Sequence, residues 1–87
     1  MDESIYWEAI AKFGIDNQLN VAIEEMSELT KEVCKNKRGF SNENHIAEEI
    51  ADVEIMLEQL KLIFDCEIEV EDWKLQKLAR LAKRVLK

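Results

Sequence analysis

Two pairs of carboxylates carry the chemistry open to this sequence. Glu25 and Glu28 are three residues apart, and so are Glu49 and Asp52. On an α-helix, positions i and i+3 share a face, so each pair would present two carboxylates side by side. Two such helices packed together would offer four carboxylates to one cluster of ions. Mg²⁺ takes oxygen ligands of this kind, and Mn²⁺ accepts the same set. Spacing alone says little where Asp and Glu make up 19 of 87 residues; Glu69 and Asp72 repeat it and are assigned no role. Placement says more. Glu25 and Glu49 both flank apolar stripes, and a carboxylate at a core margin costs free energy unless it is paired or metal-bound. Either a metal or the Lys and Arg of the last helix would balance them.

Four helical segments must position these groups. The first runs from about Glu3 to Phe13 and stops at Gly14, read as a left-handed C-terminal cap. The second starts after Asp16, read as its N-cap, and ends near Lys37, where Lys35, Lys37 and Arg38 complement the helix dipole. After the loop Gly39-Phe40-Ser41-Asn42, the third runs from about Glu43 to Phe64. A break at Asp65-Cys66-Glu67 precedes the fourth, from about Glu69 to Leu86. No sustained alternation of period two argues for a sheet. The expected fold is a single all-α, four-helix domain over residues 1–87.

Helical wheels at about 100° per residue assign the faces. Leu19, Ile23, Met26, Thr30 and Val33 form the expected core stripe of the second helix, with Leu29 at its edge. Ile46, Ile50, Val53, Leu57, Leu60 and Phe64 form that of the third, with Glu49, Asp52 and Gln59 on its flank. A second apolar stripe, Ala47, Ala51, Ile55 and Leu62, lies nearly opposite. A helix apolar on two sides is buried on two sides. This predicts a homo-oligomer, a homodimer or homotetramer, with the third helix at or near the interface; the alternative is a monomer in which the first and fourth helices cover both faces.

Composition narrows the function classes. Hydrophobic residues at 47% suffice for a core, and Pro is absent. A net charge of −7 argues against a nucleic-acid binder, which needs a basic footprint. It leaves room for a small phosphorylated ligand reached through bridging Mg²⁺. No apolar run is long enough to cross a membrane. Met1-Asp2-Glu3-Ser4 lacks the basic start of a signal peptide, and two cysteines, Cys34 and Cys66, make no disulfide framework. The expectation is a cytoplasmic protein with reduced thiols.

The two acidic half-motifs also resemble a known family. Glu24-Glu25-Met26-Ser27-Glu28-Leu29, followed after a spacer by Glu48-Glu49-Ile50-Ala51-Asp52-Val53, is similar to the E-E-x-x-E and E-x-x-D signature of the MazG-like all-α NTP pyrophosphohydrolases. The resemblance takes in Phe13 to Leu19 upstream and Met56 to Lys61 downstream, as in compact phage- and Firmicute-type members. It implies hydrolysis of nucleoside triphosphates (NTP or dNTP) between the α- and β-phosphates, to monophosphate and pyrophosphate, with Mg²⁺, as house-cleaning or nucleotide-pool control. It implies Glu25, Glu28, Glu49 and Asp52 as metal ligands. Many members carry Asn seven residues after the motif Asp; this chain has Gln59 there.

Further residues could complete such a site. Glu24 and Glu48 adjoin the ligand pairs and could orient or deprotonate the attacking water, or simply face solvent. Gln18, seven residues before Glu25 on the same face, could touch the nucleotide. Lys77, Arg80, Arg84 and Lys87 lie near one stripe of the fourth helix, and by the resemblance Lys77 or Arg80 would reach the triphosphate; solvated partners of an acidic protein is the equal alternative. Trp7 could stack on a base, though core or interface is the commoner fate of such a residue. His45 has Asn42 rather than Glu three residues before it, which argues against a di-iron site. Two alternatives to the hydrolase stand: a related pyrophosphohydrolase acting on dUTP or phosphoribosyl-ATP, and a non-catalytic helical oligomer that binds a protein partner or regulatory nucleotide.

Overall fold

A computed structural model of the chain describes residues 3–86. Four helices follow in order: α1 (Ser4–Phe13), α2 (Ile15–Lys37), α3 (Glu43–Ile63) and α4 (Glu67–Val85). No strand occurs among the described residues. None of the helices described is long and apolar enough to cross a membrane. The expected four helices are therefore present, with every boundary within two residues. Met1, Asp2 and Lys87 lie outside the described residues.

The junctions explain how the chain turns. Gly14 links α1 to α2 at φ 90° and ψ 149°. This is positive φ with extended ψ rather than the left-handed helical cap expected, a region open to glycine. Its N–H donates to the Ile10 carbonyl at 2.9 Å, and its carbonyl accepts from the Gln18 N–H at 3.0 Å, so one residue closes one helix and opens the next. Gly14, not Asp16, is thus the N-cap of α2, and Asp16 sits in the first turn, where it still complements the dipole. The C-termini of α2 and α3 share one motif. Gly39 at φ 99° and Asp65 at φ 50° each take positive φ. The Gly39 and Asp65 N–H groups donate to Asn36 and Leu62, and the next residues, Phe40 and Cys66, reach back to Lys35 and Lys61. These pairs are the 5→2 and 6→1 bonds of a Schellman cap.

Residues 38–42 join α2 to α3, a turn short enough to make the two an antiparallel pair. This hairpin is the centre of the protein: α1 packs on both of its helices, whereas α4 packs only on α3. Asn42 fastens the turn. It is buried, its Nδ2 donates to the Glu32 carbonyl (3.0 Å) and Oε1 (2.9 Å), and its Oδ1 accepts from Asn36 Nδ2 (3.2 Å).

The faces differ from the expected ones. Along α2 the side turned inward is Gln18 and Ala22, both buried, then Glu25, Leu29, Glu32 and Asn36, half-buried. Along α3 it is Glu49, Val53, Met56, Gln59 and Ile63. Val53 of the anticipated stripes is buried as expected and Leu19, Ile46 and Leu60 are half-buried, but most of the rest lies one residue further on, a turn of about 100°. Ile23, Met26 and Val33 on α2, and Ile50, Leu57 and Phe64 on α3, are exposed. Of the stripe Ala47, Ala51, Ile55 and Leu62, only Leu62 is buried. The buried apolar residues are small in total: Ile10, Ala22, Val53, Met56 and Leu62.

Candidate metal centre

The turn of the helices that exposes apolar residues brings acids inward. One carboxylate oxygen each from Glu25 on α2 and from Glu49 and Asp52 on α3 lie within 4.8 Å of one another. All three side chains belong to half-buried residues. Glu25 meets Asp52 across the helix pair, carboxylate against carboxylate. Glu49 Oε2 is buried and has no hydrogen-bond partner among the described residues.

The electrostatics are correspondingly unfavourable for an unpaired cluster. Loss of solvent pushes the Glu25 carboxyl above its usual 4.5, helped by the contact with Asp52 and by the charges of Asp52, Glu49 and Glu28. Loss of solvent likewise raises Glu49, helped by Asp52, Glu28, Glu48 and Glu32. A buried carboxylate oxygen without a donor costs free energy. A divalent cation would remove both the repulsion and the orphaned oxygen. The residues present therefore fit a hard metal: three carboxylates from two rigid helices, with a fourth, Glu28, at the open edge.

The remaining sequence-predicted residues fall into three groups. Glu28, Glu24 and Glu48 are exposed beside the cluster; Glu28 is near enough to raise both Glu25 and Glu49 but is not one of the three converging groups. Gln18 and Gln59 are buried and bond each other, Gln18 Nε2 donating to Gln59 Oε1 at 2.7 Å; Asn17 donates to Gln18 Oε1 at 3.2 Å, and Gln59 Nε2 points at Met56 Sδ, 3.6 Å away. As placed, the pair ties α2 to α3 within the inward face rather than presenting amides to solvent. Lys77 and Arg80 are not brought to the carboxylates in the single chain. They lie on α4 with Leu81 and Arg84 around a small recess, and Lys77 Nζ stands 5.7 Å from the Trp73 ring centroid.

One participant was not singled out from sequence. Glu32 follows Glu25 by seven residues on the same inward face, and its charge raises Glu49 while Asn42 and Lys35 hold its own pKa down. The seven-residue repeat from Gln18 through Glu25 to Glu32 was the available signal. A broad open groove of about 990 Å³ lies elsewhere, between α1, α3 and α4, lined in part by Tyr6, Ile55, Phe64 and Val70. Its volume does not mark the chemistry, because the converging carboxylates are not among its walls.

The fold and site define an all-α protein with an acidic cluster between the two helices of a central hairpin. The chain matches no protein-family model, no curated protein and no solved structure.

Proposed function

We infer that the chain is a Mg²⁺-dependent nucleoside triphosphate pyrophosphohydrolase of MazG-like type, releasing nucleoside monophosphate and pyrophosphate in cytoplasmic nucleotide-pool control. One observation carries the reading. The two half-motifs that suggested it converge, Glu25 from one and Glu49 and Asp52 from the other, with a buried oxygen of Glu49 left without a partner. Mg²⁺, or Mn²⁺ in its place, would be held by these three and by Glu28, and would neutralise phosphate oxygens and supply an activated water.

The chain's own groups then have definite work. Glu25, Glu49 and Asp52 set the charge of the site, and the hairpin fixes their separation before any ligand arrives, so little is lost in ordering them. Glu24 and Glu48, exposed beside the cluster, would orient a water or take its proton. The Gln18–Gln59 bond keeps α2 and α3 in the register that holds the carboxylates together. Lys77 and Arg80 would serve the triphosphate from α4 if a neighbouring copy supplied them, and the enzyme is accordingly read as a homo-oligomer.

Incubation with each NTP and dNTP plus Mg²⁺, assayed for pyrophosphate, tests the activity. Release from at least one, abolished in Glu49→Ala, is expected. No release from any nucleotide, or full release by Glu49→Ala, would sink it.

A further inference from the structure

The fourth helix carries cations that the rest of the molecule leaves unpaired. From Trp73 onward α4 holds Lys74, Lys77, Arg80, Lys83 and Arg84 and no acid, in a chain of net charge −7. Lys74 pairs with Glu71. Lys77, Arg80 and Arg84 make no ion pair among the described residues. Cations in the last turn complement the helix dipole, which accounts for Lys83 and Arg84. It does not account for Arg80 and Lys77, which stand one and two turns earlier.

Trp73 belongs to the same stripe. Lys77, Arg80 and Arg84 follow it by four, seven and eleven residues, spacings that keep all four side chains on one side of the helix. Trp73 is 54% exposed, and Lys77 Nζ stands 5.7 Å from its ring centroid. Lys77, Arg80 and Arg84, with Leu81, wall a shallow recess of about 320 Å³. Only Val70 and Ala82 of α4 are even half-buried, so the stripe is open to solvent along its length.

An exposed ring followed by cations suits a ligand that is flat and aromatic at one end and anionic at the other. A nucleobase stacks on an indole ring with little selectivity among bases. Arginine forks hold phosphate oxygens bidentately, and a lysine adds a point charge. At about 1.5 Å per residue, Arg80 lies about 10 Å along the helix from Trp73 and Arg84 about 16 Å. A nucleoside with its own phosphate chain fits the shorter span, and the long Arg84 side chain would close on the end of the chain. A longer polyanion does not fit. Glu69 lies one turn before Trp73 on the same side and Asp72 adjoins the ring in sequence, so a strand continuing past it would meet carboxylates.

We propose that this stripe of α4 is a nucleotide-binding site that needs no metal, the base stacking on Trp73 and the phosphates lying on Lys77, Arg80 and Arg84. It is distinct from the converging carboxylates, which stand on α2 and α3. Those acids repel a phosphate chain unless a divalent ion intervenes, whereas α4 attracts it directly. The site requires neither catalysis nor a second copy. Its failure and that of the hydrolase reading are therefore separate results, one measured as binding in EDTA and the other as pyrophosphate release with Mg²⁺.

The test is a titration in EDTA, which keeps metal from the carboxylates. ATP, GTP, CTP, UTP and tripolyphosphate are each added at low salt to the isotope-labelled chain. NMR follows the Trp73 indole N–H, which Trp7→Phe distinguishes from that of the other tryptophan. At least one nucleotide should shift it saturably at submillimolar concentration, and more weakly as salt is raised. Tripolyphosphate, which has no base, should bind less tightly. Trp73→Ala and Arg80→Ala, followed on the backbone amides of residues 77–84, should each weaken binding on the order of tenfold. Both should keep the helical circular dichroism, because both side chains are exposed. No indole shift with any nucleotide in EDTA, an affinity that Arg80→Ala leaves unchanged, or tripolyphosphate binding as tightly as the best nucleotide overturns the proposal. So does a single-stranded oligothymidylate that binds more tightly than every free nucleotide, since the stripe would then be a nucleic-acid surface.

Discussion

Replacing Glu25 by Gln separates a metal site from a merely acidic surface, because the sign of its effect depends on metal. Without metal, burial together with Asp52, Glu49 and Glu28 holds the Glu25 carboxyl above its usual 4.5. A Gln amide at this position donates to Asp52 and removes one charge from the cluster. A hydrogen bond to a charged group contributes about 1.5–3 kcal/mol when well buried. Half exposure and screening discount it here to about 1 kcal/mol. For a domain of this length each kcal/mol moves Tm by roughly 4–8 °C, so Glu25→Gln should melt several degrees higher in EDTA at pH 8. Mg²⁺ reverses the order. At a hundred times its Kd, a ligand specific for the folded state adds about 2.7 kcal/mol. The wild type should gain that and the variant much less. Thermal melts by circular dichroism, with EDTA and with saturating MgCl₂, give all four values. A variant that is less stable in EDTA, or a wild type indifferent to Mg²⁺, would refute the reasoning.

Three further outcomes follow from the same structure. Metal-free stability should rise as pH falls from neutral toward 4.5, because Glu25 and Glu49 have raised pKa values and the folded chain binds protons there that the unfolded chain does not; below 4.5 it should fall, as Glu32 and Glu43, whose pKa values are lowered, take up protons and lose their bonds to Asn42 and Asn36. A metal-free Tm that declines steadily from pH 7 to pH 5 would contradict this. Gln59→Leu should cost about 1–3 kcal/mol in urea unfolding by stranding the Gln18 amide, and Gln18→Leu added to it should recover most of the loss; costs that simply add would show that the 2.7 Å bond is not coupled. Gly14→Ala should cost about 1–3 kcal/mol although no atom lies within 4 Å of the new methyl, since the backbone at φ 90° and ψ 149° is open only to glycine; an unchanged Tm would mean the linker relaxes freely.

The outer limits of the helices were legible because their signals are local. Gly39 and Asp65 end α2 and α3 through backbone bonds among neighbouring residues, and apolar periodicity fixes helix where no strand pattern competes. The i,i+3 spacing of Glu25/Glu28 and Glu49/Asp52 was legible for the same reason, and three of these four acids do converge. Orientation about the helix axis was not. Periodicity assigns the most apolar stripe to the core, which held neither for Ile23, Met26 and Val33 nor for Ile50, Leu57 and Phe64. In the single chain, the inward side carries Gln18, Glu25, Glu49 and Gln59 instead. Polar side chains that bond across the hairpin, as Gln18 bonds Gln59, can occupy a contact face that hydropathy alone would give to Leu and Ile.

By itself, then, the sequence determined four helices, their ends, and two acidic pairs on neighbouring helices. Tertiary structure decided which of those acids meet, that Glu49 keeps an oxygen buried without a partner, and that Lys77 and Arg80 lie on a helix that packs on α3 alone, away from the converging carboxylates. The physical reason is range. Capping and i,i+3 spacing act within a few residues, whereas the rotation of one helix against another is set by all the contacts along their shared face at once.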